Sequence, residues 1–145
     1  MPHPLRMARK AAFIPLEDDE HIALADWLRA NLIFFHHSPN GGVRPSRTDA
    51  KGARFSNEGK KLQRMGTIKG FPDFLVIDPP PPFTEGPPVA VELKRVKGGK
   101  PSPEQLDLMA ELEKRGWTCY LAKGADAAIT FLKSLGYGRK EIRNV

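Results

Sequence analysis

An α/β fold, a mixed β-sheet core flanked by helices, is predicted from three features of this 145-residue chain. Amphipathic helical patterns stand near both ends, short apolar β-branched runs lie between them, and a strand–helix–strand unit closes the second half at the spacing of a parallel crossover. One domain's worth of chain is present, enough for a single moderate core.

The segment Met1 to Ala12 carries Arg6, Arg9, Lys10 and two prolines but no apolar period, and is expected to be a basic flexible arm; residues 13–145 form the single domain. Glu17, Asp18, Asp19 and Glu20 make an acidic first turn. Ile22, Ala23, Ala25, Trp27, Leu28 and Leu32 follow at roughly helical spacing, so a first helix should end near Asn31. Ile33, Phe34 and Phe35 read as a short strand entering a turn at His36 to Gly42, and a loop rich in Gly, Arg and Ser comes next. A short helix is expected over Asn57 to Met65, stopped by Gly66. Phe74 to Ile77 and Val89 to Leu93 read as a hairpin, joined through Asp78 to Pro88, whose six prolines exclude regular structure. Ser102 before Pro103, with Gln105 three residues on, is a helix-start signature, and Leu106, Met109, Ala110 and Leu112 supply the stripe behind it. Trp117 to Ala122 reads as a strand and Ala125 to Leu135 as a last helix stopped by Gly136; Trp27 and Trp117 are assigned to the core.

Apolar residues are 40% and charged residues 28% of the chain, which argues against wholesale disorder or a fibrous repeat. The lone Cys119 cannot form an internal disulfide, no Cys/His spacing suits zinc, and no apolar run is long enough to span a bilayer. The first ten residues lack the form of a secretory signal. The expectation is a reducing, cytoplasmic setting with no membrane partner.

Net charge is +6, and it is concentrated. From Arg44 to Lys69 there are eight cations against Asp49 and Glu58 alone, which matches the excess of the whole chain. A phosphate-contacting face needs that density, and a solvated loop also produces it.

Phe71-Pro72-Asp73-Phe74 puts a carboxylate at the head of one strand, and Val91-Glu92-Leu93-Lys94 puts a second carboxylate and an ammonium near the end of the next. Residues two apart in a strand share a face, so Glu92 and Lys94 project together while Leu93 points to the core. If the strands pair, Asp73 joins them. Two carboxylates beside a lysine suit phosphodiester hydrolysis, in which Mg²⁺ is commonly held by one or two carboxylates plus water and phosphate. An exposed strand-edge pair would also place Glu and Lys at this spacing. Adjacent His36 and His37 face opposite ways on a strand, so at most one would enter a site. Asn40 and Gly41 fit a tight turn whose amides approach phosphate, and equally a plain hairpin turn.

The order of these pieces resembles the VRR-NUC (virus-type replication-repair nuclease) family of the PD-(D/E)xK superfamily, over about Glu17 to Leu135. The resemblance is carried by the acidic start Glu17 to Glu20, by HHSPNGG from His36, by LQRMGTIKGFPDF from Leu62, by VELK from Val91, by SPEQ from Ser102 and by Gly116-Trp117. Two features depart from the family pattern: Gln63 stands where a lysine usually follows the leucine, and the Pro79 to Pro88 loop is longer than a minimal hairpin needs.

The resemblance implies a restriction-endonuclease-like sheet core with Asp73 and Glu92 as metal ligands. It also implies metal ligation by the Leu93 carbonyl, Lys94 as catalytic lysine, and Gln105 reaching in from the next helix. A glutamate of the first helix completes the set, Glu20 being favoured over Glu17; a helix N-terminus by itself also favours acids there. The expected cofactor is Mg²⁺ (or Mn²⁺). DNA contacts are expected from Asn40, Gly41, Arg44, Lys60, Lys61 and Arg64. The implied activity is an endonuclease acting on branched DNA such as four-way junctions, as a homodimer, in a phage-encoded replication-repair role in the host cytoplasm. A non-catalytic DNA-binding module of the same fold is the alternative.

Overall fold

The structure, a computed structural model, describes residues 13–39, 47–48, 54–55 and 57–138. The expected basic arm, and Asn40, Gly41 and Arg44, lie outside the described residues. Ten elements occur in the order α1 (Glu17–Ala30), β1 (Phe35–His37), β2 (Arg47–Thr48), β3 (Arg54–Phe55), α2 (Asn57–Arg64), β4 (Phe74–Val76), β5 (Val89–Lys94), α3 (Pro103–Lys114), β6 (Thr118–Lys123) and α4 (Ala125–Leu135).

Four strands form a mixed sheet in the order β1-β4-β5-β6, while β2 and β3 pair as a separate two-stranded ribbon. β4 runs antiparallel to both β1 and β5. β5 and β6 are parallel, with α3 as the crossover, as the strand–helix–strand pattern predicts. The ribbon occupies a stretch read from sequence as loop, because two-residue strands leave no apolar alternation to detect.

One sheet face carries Phe74, Val76, Val89, Val91, Leu93 and Ala122 against Leu24, Ala25 and Leu28 of α1 and Ala125, Ala128 and Leu132 of α4. The buried leucines of α1 and α4 are each worth about 1.5–3 kcal/mol when withdrawn from water. Tyr120 and Phe131 stack with centroids 4.0 Å apart and extend this layer between β6 and α4. α3 covers the other face.

Three sequence readings change. On α1 the inward row runs through Leu24 and Leu28, and Ile22 and Leu32 are 59% and 91% exposed. A face repeating at four residues is fixed by Glu20, Leu24 and Leu28, so Ile22 falls outside it. On α3 the inward face is Gln105, Leu108, Met109 and Leu112, and Leu106 and Ala110 are exposed. The first strand begins at Phe35: the chain turns at Asn31 and Leu32, where Leu32 takes a positive φ of 56°, and Phe34, whose carbonyl accepts the Ile77 amide at 2.8 Å, leads directly into the paired residues. Trp27 and Trp117 are partly buried, with Trp27 packed on the core and Trp117 edge-on to Phe71.

Candidate active site

Phe74 pairs with Val91, so Asp73, one residue before β4, lies level with Glu92 of β5. The two carboxylates meet where β4 begins and β5 ends, and both are buried, Asp73 at 6% exposure and Glu92 at 1%. Asp73 is held from two directions. Its Oδ2 accepts the Leu93 amide at 2.9 Å, and its carbonyl accepts the Ser38 amide at 2.7 Å. The chain reaches this point by passing hard against the start of α3. A Cβ on Gly70 would lie 2.9 Å from the Gln105 nitrogen, and Gly70 has φ +84°, so only glycine fits there. That close approach sets Pro72-Asp73 beside the helix that carries Gln105.

Glu92 projects to the α3 side of the sheet, opposite to Leu93. Its Oε1 accepts from Lys94 Nζ at 3.0 Å and from Gln105 Nε2. Gln105 is itself fixed by a capping box. Its Oε1 accepts the Ser102 amide at 2.8 Å, and its own amide donates to Ser102 Oγ at 3.2 Å. One oxygen of Glu92 is thus saturated, while Oε2 is buried and has no hydrogen-bond partner among the described residues. Burial first, and then the nearby Asp73 carboxylate, push the Glu92 pKa up to about 7, although Lys94 pulls the other way.

The first helix contributes Glu17 and His21, one turn apart. His21 Nε2 stands 3.5 Å from Asp73 Oδ2 and 3.9 Å from Glu17 Oε1, and its Nδ1 is 2.9 Å from His37 Nε2. The ligand atoms of Glu17, His21 and Asp73 all lie within 4.8 Å of one another. His37 packs on Phe74 at a centroid distance of 4.9 Å. Its pKa is lowered, by burial first and then by His21. His36, one residue away, is exposed, as the strand alternation requires.

Glu20, favoured from sequence as the first-helix site residue, points elsewhere. Its Oε2 accepts the Ala125 amide and so caps α4, and a Cβ on Gly124 would come within 3.4 Å of that oxygen. The first-helix carboxylate grouped with Asp73 is Glu17's. His21 was missed in the sequence, although its spacing of four from Glu17 on a helix was the available signal. Lys60, Lys61 and Arg64 lie exposed on α2. The Leu93 side chain is fully buried in the core. Because the N–H and C=O of a strand residue point toward the same neighbour, its carbonyl faces the Asp73 side.

The donor set fits a hard divalent cation. Among the described residues, Lys94 is the cation ion-paired with Glu92, so the two buried carboxylates carry charge it does not fully compensate. An unpartnered buried oxygen is costly unless a ligand completes it.

No family profile and no curated protein sequence matches this chain. Among solved structures, the chain is similar to one described as "VRR_NUC domain protein", with a TM-score of 0.62 and 21% identity over 88% of this chain and 94% of that one. The chain therefore has the fold of a VRR-NUC domain.

Proposed function

We propose that this chain is a divalent-metal-dependent DNA endonuclease, a hydrolase of phosphodiester bonds. The observation that supports this most is the buried, unpartnered Oε2 of Glu92, next to Asp73 and on the carboxylate that Lys94 and Gln105 hold. The VRR-NUC fold supports it independently.

In this reading Asp73, Glu92 and the Leu93 carbonyl hold Mg²⁺ (or Mn²⁺). When bound, the cation polarises the scissile phosphate and makes water a stronger nucleophile. Gln105 and Lys94 engage Glu92 Oε1 and thereby leave Oε2 free to ligate. The Lys94 ammonium, 3.0 Å from Glu92, is close enough to orient the attacking water and to stabilise charge that develops on the phosphate. Asp73 is kept in place by the Leu93 amide, so the two carboxylates present a preformed pair. Of the first-helix acids, Glu17 rather than Glu20 extends the site.

DNA is held by the basic stretch, in which Arg44, Lys60, Lys61 and Arg64 contact phosphates and Asn40 and Gly41 offer backbone amides. Replacing Lys61 and Arg64 with Gln lowers the slope of log affinity against log salt by about 0.9 for each duplex phosphate that is no longer neutralised; an unchanged slope excludes both from the DNA interface. The preferred substrate is branched DNA such as a four-way junction, cut by a homodimer whose two sites act on two strands. A phage-encoded protein working in the host cytoplasm fits this role.

The test incubates the protein with labelled linear, flapped and four-way-junction DNA in Mg²⁺, Mn²⁺ or EDTA. The expected result is internal cleavage of the junction with either cation and none in EDTA. Tight DNA binding without cleavage under any condition identifies a non-catalytic module instead.

A further inference from the structure

We propose that His21 is a nitrogen ligand to a divalent cation shared with Glu17 and Asp73, oriented by His37, and that it biases this centre toward transition ions over Mg²⁺. The inference rests on the reading of Asp73 and Glu92 as a cation-binding pair.

Three observations carry it. First, His21 Nε2 is buried and has no hydrogen-bond partner among the described residues, so its environment leaves a ring nitrogen unused. Second, that nitrogen faces Asp73 Oδ2 at 3.5 Å and Glu17 Oε1 at 3.9 Å. Ligand bonds of about 2.0–2.2 Å to one ion place donor atoms at such separations. Third, His21 Nδ1 and His37 Nε2 are 2.9 Å apart. If Nδ1–H donates to His37, the lone pair of His21 is on Nε2 and directed at the two carboxylates. A bare lone pair facing two anionic oxygens is unfavourable until a cation lies between them.

This arrangement has the form of a metal-site histidine whose other ring nitrogen is tied to an orienting partner. Asp73 then contributes to both clusters, with Glu92 on one side and His21 on the other. Its chemical consequence is selectivity. Mg²⁺ prefers oxygen donors and keeps its water, whereas imidazole favours later first-row ions, with affinity rising from Mn²⁺ to Co²⁺. The ligand class is a divalent transition cation, bound by one nitrogen and two carboxylates.

The experiment measures binding, not cleavage. Co²⁺ and Mg²⁺ titrations of the full chain are followed by calorimetry, with the visible Co²⁺ spectrum as a report on nitrogen ligation. The same titrations are made on His21→Gln, His37→Gln and, as a control for surface histidines, His36→Gln. Wild-type protein is expected to prefer Co²⁺ over Mg²⁺, His21→Gln to reduce that preference at least tenfold, and His37→Gln to weaken Co²⁺ binding about 10–100-fold. His36→Gln should match wild type. Independently of any variant, Zn²⁺ should shift the imidazole ¹⁵N resonance of His21 Nε2 in the wild-type chain. If the cations bind equally well to wild type and His21→Gln, and the His21 ¹⁵N resonances do not move, His21 is only a hydrogen-bonding link and the inference falls while the nuclease reading stands. If wild type binds no cation, both fall.

Discussion

The polar groups near the two ends of strand β4 are in opposite states of hydrogen bonding. At the far end, Asp78 Oδ2 accepts the Phe34 amide at 2.8 Å, and the Asp78 carbonyl accepts the Tyr137 hydroxyl at 2.6 Å, so each of these groups has a partner where the proline loop leaves the sheet. At the near end, Glu92 Oε2 and His21 Nε2 are buried without one among the described residues. A fold that can satisfy its polar groups at one end of a strand is able to do so at the other. An unpaired buried polar atom costs about 1–3 kcal/mol, and in the proposed reading a bound cation offsets that cost at the near end.

The sharpest way to break this contrast is to neutralise the near end. Asp73→Asn and Glu92→Gln are each expected to lower cleavage by several orders of magnitude while DNA affinity stays within a few-fold, as read by single-turnover kinetics and filter binding. Wild-type rates in either variant would remove the assignment.

The next effect is on stability and has a definite sign. The folded pKa of Glu92 is raised, to about 7, so its contribution to stability is fully present below its ordinary 4.5 and is lost as pH rises through the folded value. His37, whose pKa is lowered, acts in the opposite sense and contributes above its ordinary 6.5. In EDTA, Glu92→Gln should therefore gain on wild type between pH 4.5 and 7, by a total on the order of 3 kcal/mol. Urea denaturation at several pH values gives the difference directly, and a flat difference would mean that Glu92 is not ionised against its surroundings.

A carboxylate used for structure should behave otherwise. Glu20→Ala leaves the Ala125 amide uncapped and is expected to cost about 1–2 kcal/mol, with cleavage by the folded fraction unchanged. Loss of cleavage at intact stability would return Glu20 to the site. The smallest effect belongs to the far end, where Tyr137→Phe removes one hydrogen bond and should cost about 1 kcal/mol with no change in cleavage.

Much of this was legible from residue order. The alternation in Val91-Glu92-Leu93-Lys94 determined that Glu92 and Lys94 share a face, because the strand period is fixed by backbone geometry. The serine–proline–glutamine start of α3 determined its first turn, because a capping box is a local set of hydrogen bonds. Asp73 could be placed near Glu92 once a hairpin was assumed.

What the sequence could not determine was which side chains from distant elements converge. Glu17 and Glu20 are three residues apart on one helix and chemically equivalent, and only the packing of α1 against α4 sends Glu20 to the Ala125 amide and leaves Glu17 beside Asp73. His21 and His37 are brought together by the docking of α1 on β1, across a separation of 16 residues that no local pattern encodes. Periodicity and capping are local, so the sequence determines them alone. The choice between two equal carboxylates depends on the relative rotation of packed helices, which only the tertiary structure decides.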